Sequence, residues 1–245
     1  MNYSISEINE HLEIVLSLGL TTLGFIVYWF LAESKKVATY FTKGDSGEKT
    51  EVKRVVFQKM VGVIFLGLLP TIVCLLVFPY TLAEYGLNFK NFGDSLYYTG
   101  ILACLIIPLT LFSARKKDTQ EMYPQMRIER WTAKLVFTNS LNWALYLFAY
   151  EFLFRGILFM LIYPKVGVIP AIAINTAIYS CTHIPKGMKE ALSAIPFGIV
   201  LCLLTLETST IWIAFLAHLV LALSNDYGAI FFSPTKRFVF GKRES

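Results

Sequence analysis

Trp143-Ala144-Leu145-Tyr146-Leu147-Phe148-Ala149-Tyr150-Glu151-Phe152-Leu153-Phe154-Arg155-Gly156-Ile157-Leu158-Phe159-Met160-Leu161-Ile162-Tyr163 is an almost wholly apolar and aromatic run interrupted by two charges. It has about the roughly 20 residues that a helix needs to cross the hydrocarbon of a bilayer. Its apolar residues are continuous rather than alternating. With no water in the hydrocarbon, only helices or closed barrels can span, and a continuous run selects the helix. The polar flank ahead of it (Lys134, Thr138, Asn139, Ser140, Asn142) suits the interface, which puts Glu151 at middle depth. A helix from Trp131 to Tyr163 would run about 50 Å, longer than the hydrocarbon alone.

Comparable runs recur outward from this one. Spans are predicted at 12–32, 58–82, 96–113, 136–163, 167–184, 190–206 and 210–228. The composition agrees: 56% of the residues are hydrophobic and 16% charged, against roughly a quarter charged in soluble proteins. The fold class is therefore all-α, a polytopic transmembrane helix bundle of about seven spans, or eight if the 132–163 stretch is split. Three parts are expected: N-terminal helices with their loops (1–135), a core of four helices (136–228) and a basic tail (229–245). The N-terminus lacks the basic flank and small-residue cleavage site of a signal peptide, so the first span is expected to be retained. Cys74, Cys104, Cys181 and Cys202 all sit in apolar stretches without metal-ligand spacing, and no function is assigned to them.

The charges are sorted between the loops. Ser34–Arg54 holds five lysines and one arginine. Ala114–Trp131 carries Arg115, Lys116, Lys117, Arg127 and Arg130, and the tail carries Lys236, Arg237, Lys242 and Arg243. Seven spans put these three segments on one side. The acidic N-terminus (Glu7, Glu10, Glu13) and the loops around Glu84–Asp94 and Glu207 fall on the other. By the positive-inside rule the basic side, with the C-terminus, is cytoplasmic and the N-terminus is outside. An eighth span would put the basic tail outside.

Ionisable residues within spans cost about 2.5–3.5 kcal/mol each on insertion scales and are read first as functional. Here they are Glu151, Arg155, His183, His218 and Asp226, with Asn225 beside the last. Glu151 and Arg155 are four apart on one helix face and can pair, which serves helix assembly as readily as chemistry. His183 in His183-Ile184-Pro185-Lys186-Gly187 also reads as a helix exit. His218, among Phe215, Leu216, Leu219 and Val220, needs a partner, since a polar ring is destabilised in an apolar setting without one. Glu151 and His218 lie on different spans at similar depth, and His218 and Asn225 are two turns apart on one face. One carboxylate and two imidazoles make up a general base with electrostatic stabilisers, or three ligands for a catalytic zinc.

These residues resemble the CPBP (CAAX-protease and bacteriocin-processing, Abi) family of intramembrane proteases. Its Glu-Glu-x-x-x-Arg-Gly motif is matched by Tyr150-Glu151-Phe152-Leu153-Phe154-Arg155-Gly156 and its Phe-x-x-x-His by Tyr179-Ser180-Cys181-Thr182-His183. Its third histidine, which precedes Asn or a small residue by four, is matched by His218-Leu219-Val220-Leu221-Ala222. The resemblance covers about 140–228. It implies an intramembrane endopeptidase in which Glu151 activates water, His183 and His218 bind it and stabilise the oxyanion, Arg155 orients Glu151 and Asn225 supports the site. A metal-dependent version would use Glu151, His183 and His218 as zinc ligands. The expected partners are the lipid bilayer and a membrane-associated protein or peptide substrate, with no nucleic acid, in a bacterial inner membrane.

Tyr150 stands where the family has its first glutamate, and Ala222 where Asn is common. A phenol, with a pKa of about 10, is no carboxylate base near neutral pH. Either Glu151 takes the base role, or the chain is a catalytically inactive scaffold, immunity protein or subunit that grips a partner transmembrane helix. A transporter is less in keeping with the sequence, which has no inverted repeat or pair of broken helices.

Overall fold

Proline and glycine mark several of the helix boundaries of this chain. The structure, a computed structural model, describes residues 5–240, the side chains of 5–10 and of Phe41 excepted, so that Glu7, Glu10, Lys242 and Arg243 lie outside the described residues and side chains. The helices are α1 Ile5–Ala32, α2 Lys35–Phe41, α3 Glu48–Val77, α4 Phe92–Ser113, α5 Lys117–Met122, α6 Ala133–Val166, α7 Val168–Cys181, α8 Met188–Thr208 and α9 Trp212–Phe231. Two short strands, β1 Arg130–Thr132 and β2 Arg237–Val239, pair in parallel with Trp131 opposite Phe238. α3 ends at Val77 rather than near residue 82 because Phe78 precedes Pro79, and a pre-proline residue is driven to the extended backbone seen there. Gly167 and Gly187, at φ of 87° and 101°, turn the chain into α7 and α8; such a φ strains any residue with a Cβ.

Among the described residues, six helices are long and apolar enough to cross a bilayer: α3, α4, α6, α8, α9 and the His11–Ala32 part of α1. The fifth predicted span differs. Instead of 167–184, the helix α7 has 14 residues, about 21 Å at the rise of an α-helix and short of the roughly 30 Å hydrocarbon. It is followed by a 3-10 turn at Ile184–Lys186. The long stretch through Glu151 is not split: α6 runs unbroken for 34 residues, and Thr132 caps its start by accepting from the amide of Leu135.

Contacts between connections show which ends lie together. At one end, Val55, Met126, Ile128, Trp131 and Ile230 form an apolar cluster beneath the β1–β2 pair, and Asp118 of α5 meets Lys189 of α8 at 2.9 Å. The predicted basic segments therefore share this end, together with the α7–α8 turn. At the far end, Thr210 Oγ1 donates to Gly86 O (2.8 Å), Trp212 Nε1 to Asn88 O (3.0 Å) and Asn91 Nδ2 to Thr208 O (3.0 Å). Glu13 of α1 joins that end through Tyr80 (2.6 Å) and Lys165 (2.8 Å).

The core forms around α6. α1 and α3 cover one side of it, and α9 packs against α4, α6 and α8. Two stretches are wound as π-helix, Val63–Leu68 in α3 and Phe152–Phe159 in α6. Such turns break the regular hydrogen-bond ladder and recur at functional sites. In α6 the Phe154 carbonyl accepts instead from Asn175 Nδ2 of α7 (2.6 Å), whose Oδ1 accepts from the Cys202 thiol of α8 (3.3 Å). α3 approaches α6 so closely that a Cβ on Gly67 would stand 2.7 Å from that of Ala149.

Candidate active site

Glu151 is the last residue of α6 before its π turn, and every residue from Phe152 to Phe159 is buried. Both Glu151 and Arg155 are fully enclosed, with Arg155 Nη1 at 2.8 Å from Glu151 Oε2. No guanidinium nitrogen is aligned on an acceptor for a conventional hydrogen bond, so the attachment is ionic. The guanidinium carbon also lies 4.2 Å from the centre of the Tyr179 ring, a cation–π contact. The other carboxylate oxygen, Oε1, is 2.5 Å from Nδ1 of His218 on α9. The carboxylate thus links α6 to α9 while the cation of its own helix balances its charge.

The proton positions follow from the partners. His183 Nδ1 lies 2.8 Å from the Tyr179 carbonyl, which can only accept. Nδ1 therefore carries the proton, and a neutral His183 has its lone pair on Nε2. In His218 the carboxylate fixes the proton on Nδ1 by the same logic and again leaves Nε2 as the acceptor. Thr182 Oγ1 donates to the Tyr179 carbonyl (2.7 Å), so the 2.6 Å bond between Tyr150 and Thr182 is donated by the Tyr150 hydroxyl. The tyrosine stacks edge-on to both imidazoles, with ring centres 6.4 Å from His183 and 5.8 Å from His218.

A cavity of about 290 Å³ opens in front of these rings. His183, His218, Asn225 and Tyr179 are among the polar residues that line it, and Trp143, Phe197, Ile106 and Leu109 among the apolar ones. Lys186, Glu190, Ser193 and Ser113 stand at its mouth and also line an adjoining cavity with Asp118 and Lys189. The path therefore leads to the end where the basic segments meet. Glu151 and Arg155 do not line the cavity; they lie behind His218. The structure thus brings four of the predicted residues, Glu151, Arg155, His183 and His218, and also Asn225, around one site, with only the imidazoles and Asn225 at its surface.

Zinc does not fit this arrangement. Among the described residues, no three His, Cys, Asp or Glu side chains are grouped so as to hold a metal ion. Glu151 is engaged by His218 and Arg155, and a dication at its oxygens would meet the guanidinium.

Sequence reading alone did not single out Lys59, Asn139 or Trp143 as site residues, and gave Asp226 no role. Asp226 Oδ2 accepts from Asn139 Nδ2 (2.8 Å) and Trp143 Nε1 (2.6 Å), and Lys59 Nζ lies 2.9 Å above the centre of the Trp143 ring. The available signal was the lysine itself, set in the apolar edge of α3 where an interfacial anchor looks the same.

Residues 125–224 match the family model described as type II CAAX prenyl endopeptidase, Rce1-like. No curated protein and no solved structure matches the chain. The matched segment begins before α6 and runs into α9, so it contains Glu151, Arg155, His183 and His218 and stops one residue short of Asn225. Over residues 125–224, which hold most of the residues that line the cavity, this chain is similar to the CPBP, or CAAX-protease, family.

Proposed function

We propose that this protein is an intramembrane endopeptidase that hydrolyses a peptide bond of a membrane-associated protein or peptide, with His218 as the general base. The observation that carries this reading is the 2.5 Å contact between His218 Nδ1 and an enclosed Glu151, next to a cavity that His218 lines. A carboxylate on Nδ1 fixes the tautomer and stabilises the imidazolium that forms, the role of the acid in a catalytic triad. Glu151 therefore acts through His218 rather than on water directly.

The reaction runs in two proton transfers. His218 Nε2 takes a proton from water as the water oxygen bonds to the scissile carbonyl carbon. The C–N bond then breaks, and the imidazolium returns the proton to the leaving nitrogen, giving a carboxylic acid and an amine. His183 Nε2, a lone-pair acceptor, holds the water by its second proton. The Asn225 amide, in the same wall, donates to the developing oxyanion. Arg155 orients Glu151 and balances its charge, and Tyr150 fixes Thr182 beside His183. In this reading the positive-inside rule makes the cavity mouth cytoplasmic, and the membrane is taken to be a bacterial inner membrane.

The test compares membranes of cells expressing wild type or His218→Ala by mass spectrometry of newly formed protein termini. Termini present with the wild type and lost with His218→Ala, and much reduced with Glu151→Gln, are expected. Identical sets of termini would overturn the proposal. That result would favour the second reading, a non-catalytic scaffold that grips a partner transmembrane helix, for which Tyr150 in place of a carboxylate speaks.

A further inference from the structure

Asp226 has no part in that reaction, yet it is fully buried and holds two helices together. Its contacts repeat at a distance those of the Glu151–His218 pair. Glu151 of α6 meets His218 of α9; eight residues earlier on α6, Trp143 meets Asp226, eight residues later on α9. The helices are therefore antiparallel, and the two attachments are about 12 Å apart along them, two turns each. Midway, Leu147 of α6 and Ala222 of α9 share one buried cluster with Trp143. The ladder 151–218, 147–222, 143–226 is regular, and polar at both ends.

We propose that Asp226, with Lys59 as its counter-charge, is a positioning residue that sets the register of α9 on α6 and so holds His218 against Glu151. The inference rests on the reading of His218 as the base. The contact at His218 fixes one level of α9; the attachment at Asp226, two turns away and beside the Tyr227 hydroxyl that donates to Val136 O (3.0 Å), fixes a second, and two levels set the register. The specificity comes from the donors: Asn139 and the Trp143 indole both converge on one oxygen of Asp226. The charges are arranged around the same indole, Asp226 at its N–H edge and Lys59 over its face. Each ion would destabilise the core alone, and together they compensate one another while fixing the ring. Trp143 also lines the cavity, and Asn225 is the neighbour of Asp226, so the same attachment sets the cavity wall.

The test reads His218 directly rather than activity. The chain has three histidines, so histidine-labelled full-length protein in nanodiscs gives a tractable nitrogen and proton NMR spectrum. Wild type should show a strongly hydrogen-bonded Nδ1 proton that shifts upfield toward an ordinary neutral hydrogen bond in Glu151→Gln, which assigns it to His218. Asp226→Leu should lose that signal while the His183 resonances and the helical circular dichroism are kept. The double variant Lys59→Met with Asp226→Asn should retain it, because the asparagine oxygen still accepts from Trp143 without leaving a lone ammonium. A folded Asp226→Leu protein with the His218 signal unchanged would overturn the inference. If Asp226→Leu fails to fold, Trp143→Phe decides: it keeps an aromatic ring and removes the indole N–H with the five-membered ring, and an unchanged His218 signal would again overturn the proposal. A wild-type spectrum without the bonded proton would instead remove the Glu151–His218 pair, and with it both the reading of the site and this inference.

Discussion

The first and fourth long helices, α1 and α6, are both apolar enough to span, yet they occupy opposite environments. In its most apolar window 11% of α1 lies inside the protein, against 78% of α6. α1 turns Leu23 (64% exposed) and Phe30 (72%) outward, where lipid tails are as apolar as the side chains themselves. α6 buries everything from Phe152 to Phe159, including an arginine. What separates the two helices is not hydrophobicity but the groups that lipid cannot satisfy. Glu151, Arg155, Asn139 and Trp143 all find partners on α6 itself or on α9, and that need draws α6 to the centre of the bundle.

The sharpest way to break this comparison is to strip one charge from the inside of α6. Arg155→Ala leaves the enclosed Glu151 carboxyl without its cation, and loss of about 3–5 kcal/mol is expected from the removal of one partner of a buried pair. Unfolding in bicelles followed by circular dichroism measures it, and a loss under 1 kcal/mol would mean that water reaches the pair.

A smaller effect tests packing instead of charge. Gly156→Ala puts a Cβ 2.8 Å from the Tyr85 carbonyl oxygen, a backbone atom that cannot step aside, and 3.0 Å from the Phe152 ring. Overpacking of this kind costs about 1–3 kcal/mol. Gly100→Ala in α4 meets nothing within 4 Å and should stabilise by up to about 1 kcal/mol through helix propensity. The same assay on both variants should give changes of opposite sign.

The smallest change is expected on the outer helix. Phe30→Ala in α1 removes a side chain that faces lipid, and its effect should lie within about 0.5 kcal/mol, as for substitutions away from packed features. A loss above 2 kcal/mol would show that this face of α1 is covered by another chain.

The bundle itself was legible in sequence because continuous apolar runs and the sorting of lysine and arginine between loops are local features. The site residues were legible in part. Glu151, Arg155, His183 and His218 stood out as polar groups in apolar helices, and the family's ordered motifs tied them together. Lys59 was not legible as part of a cluster. A lysine at the edge of a span looks like an interfacial anchor until the fold lays Trp143 beneath it. Nor does the length of an apolar run say where its helix stops. α7 ends at Cys181, short of the predicted 184, because the residues from Thr182 onward form a tight turn in which His183 N bonds Ser180 O and Lys186 N bonds His183 O.

The sequence by itself determined that this chain is a helical membrane protein with most of its buried ions in the last four helices, because hydropathy and charge act residue by residue. Which of those ions touch was decided by the tertiary structure alone. That Glu151 faces His218 and not the cavity, and that Asp226 repeats the contact two turns away, depends on the register of α9 on α6. Register is a property of two packed helices, fixed only when both sets of side chains are in place.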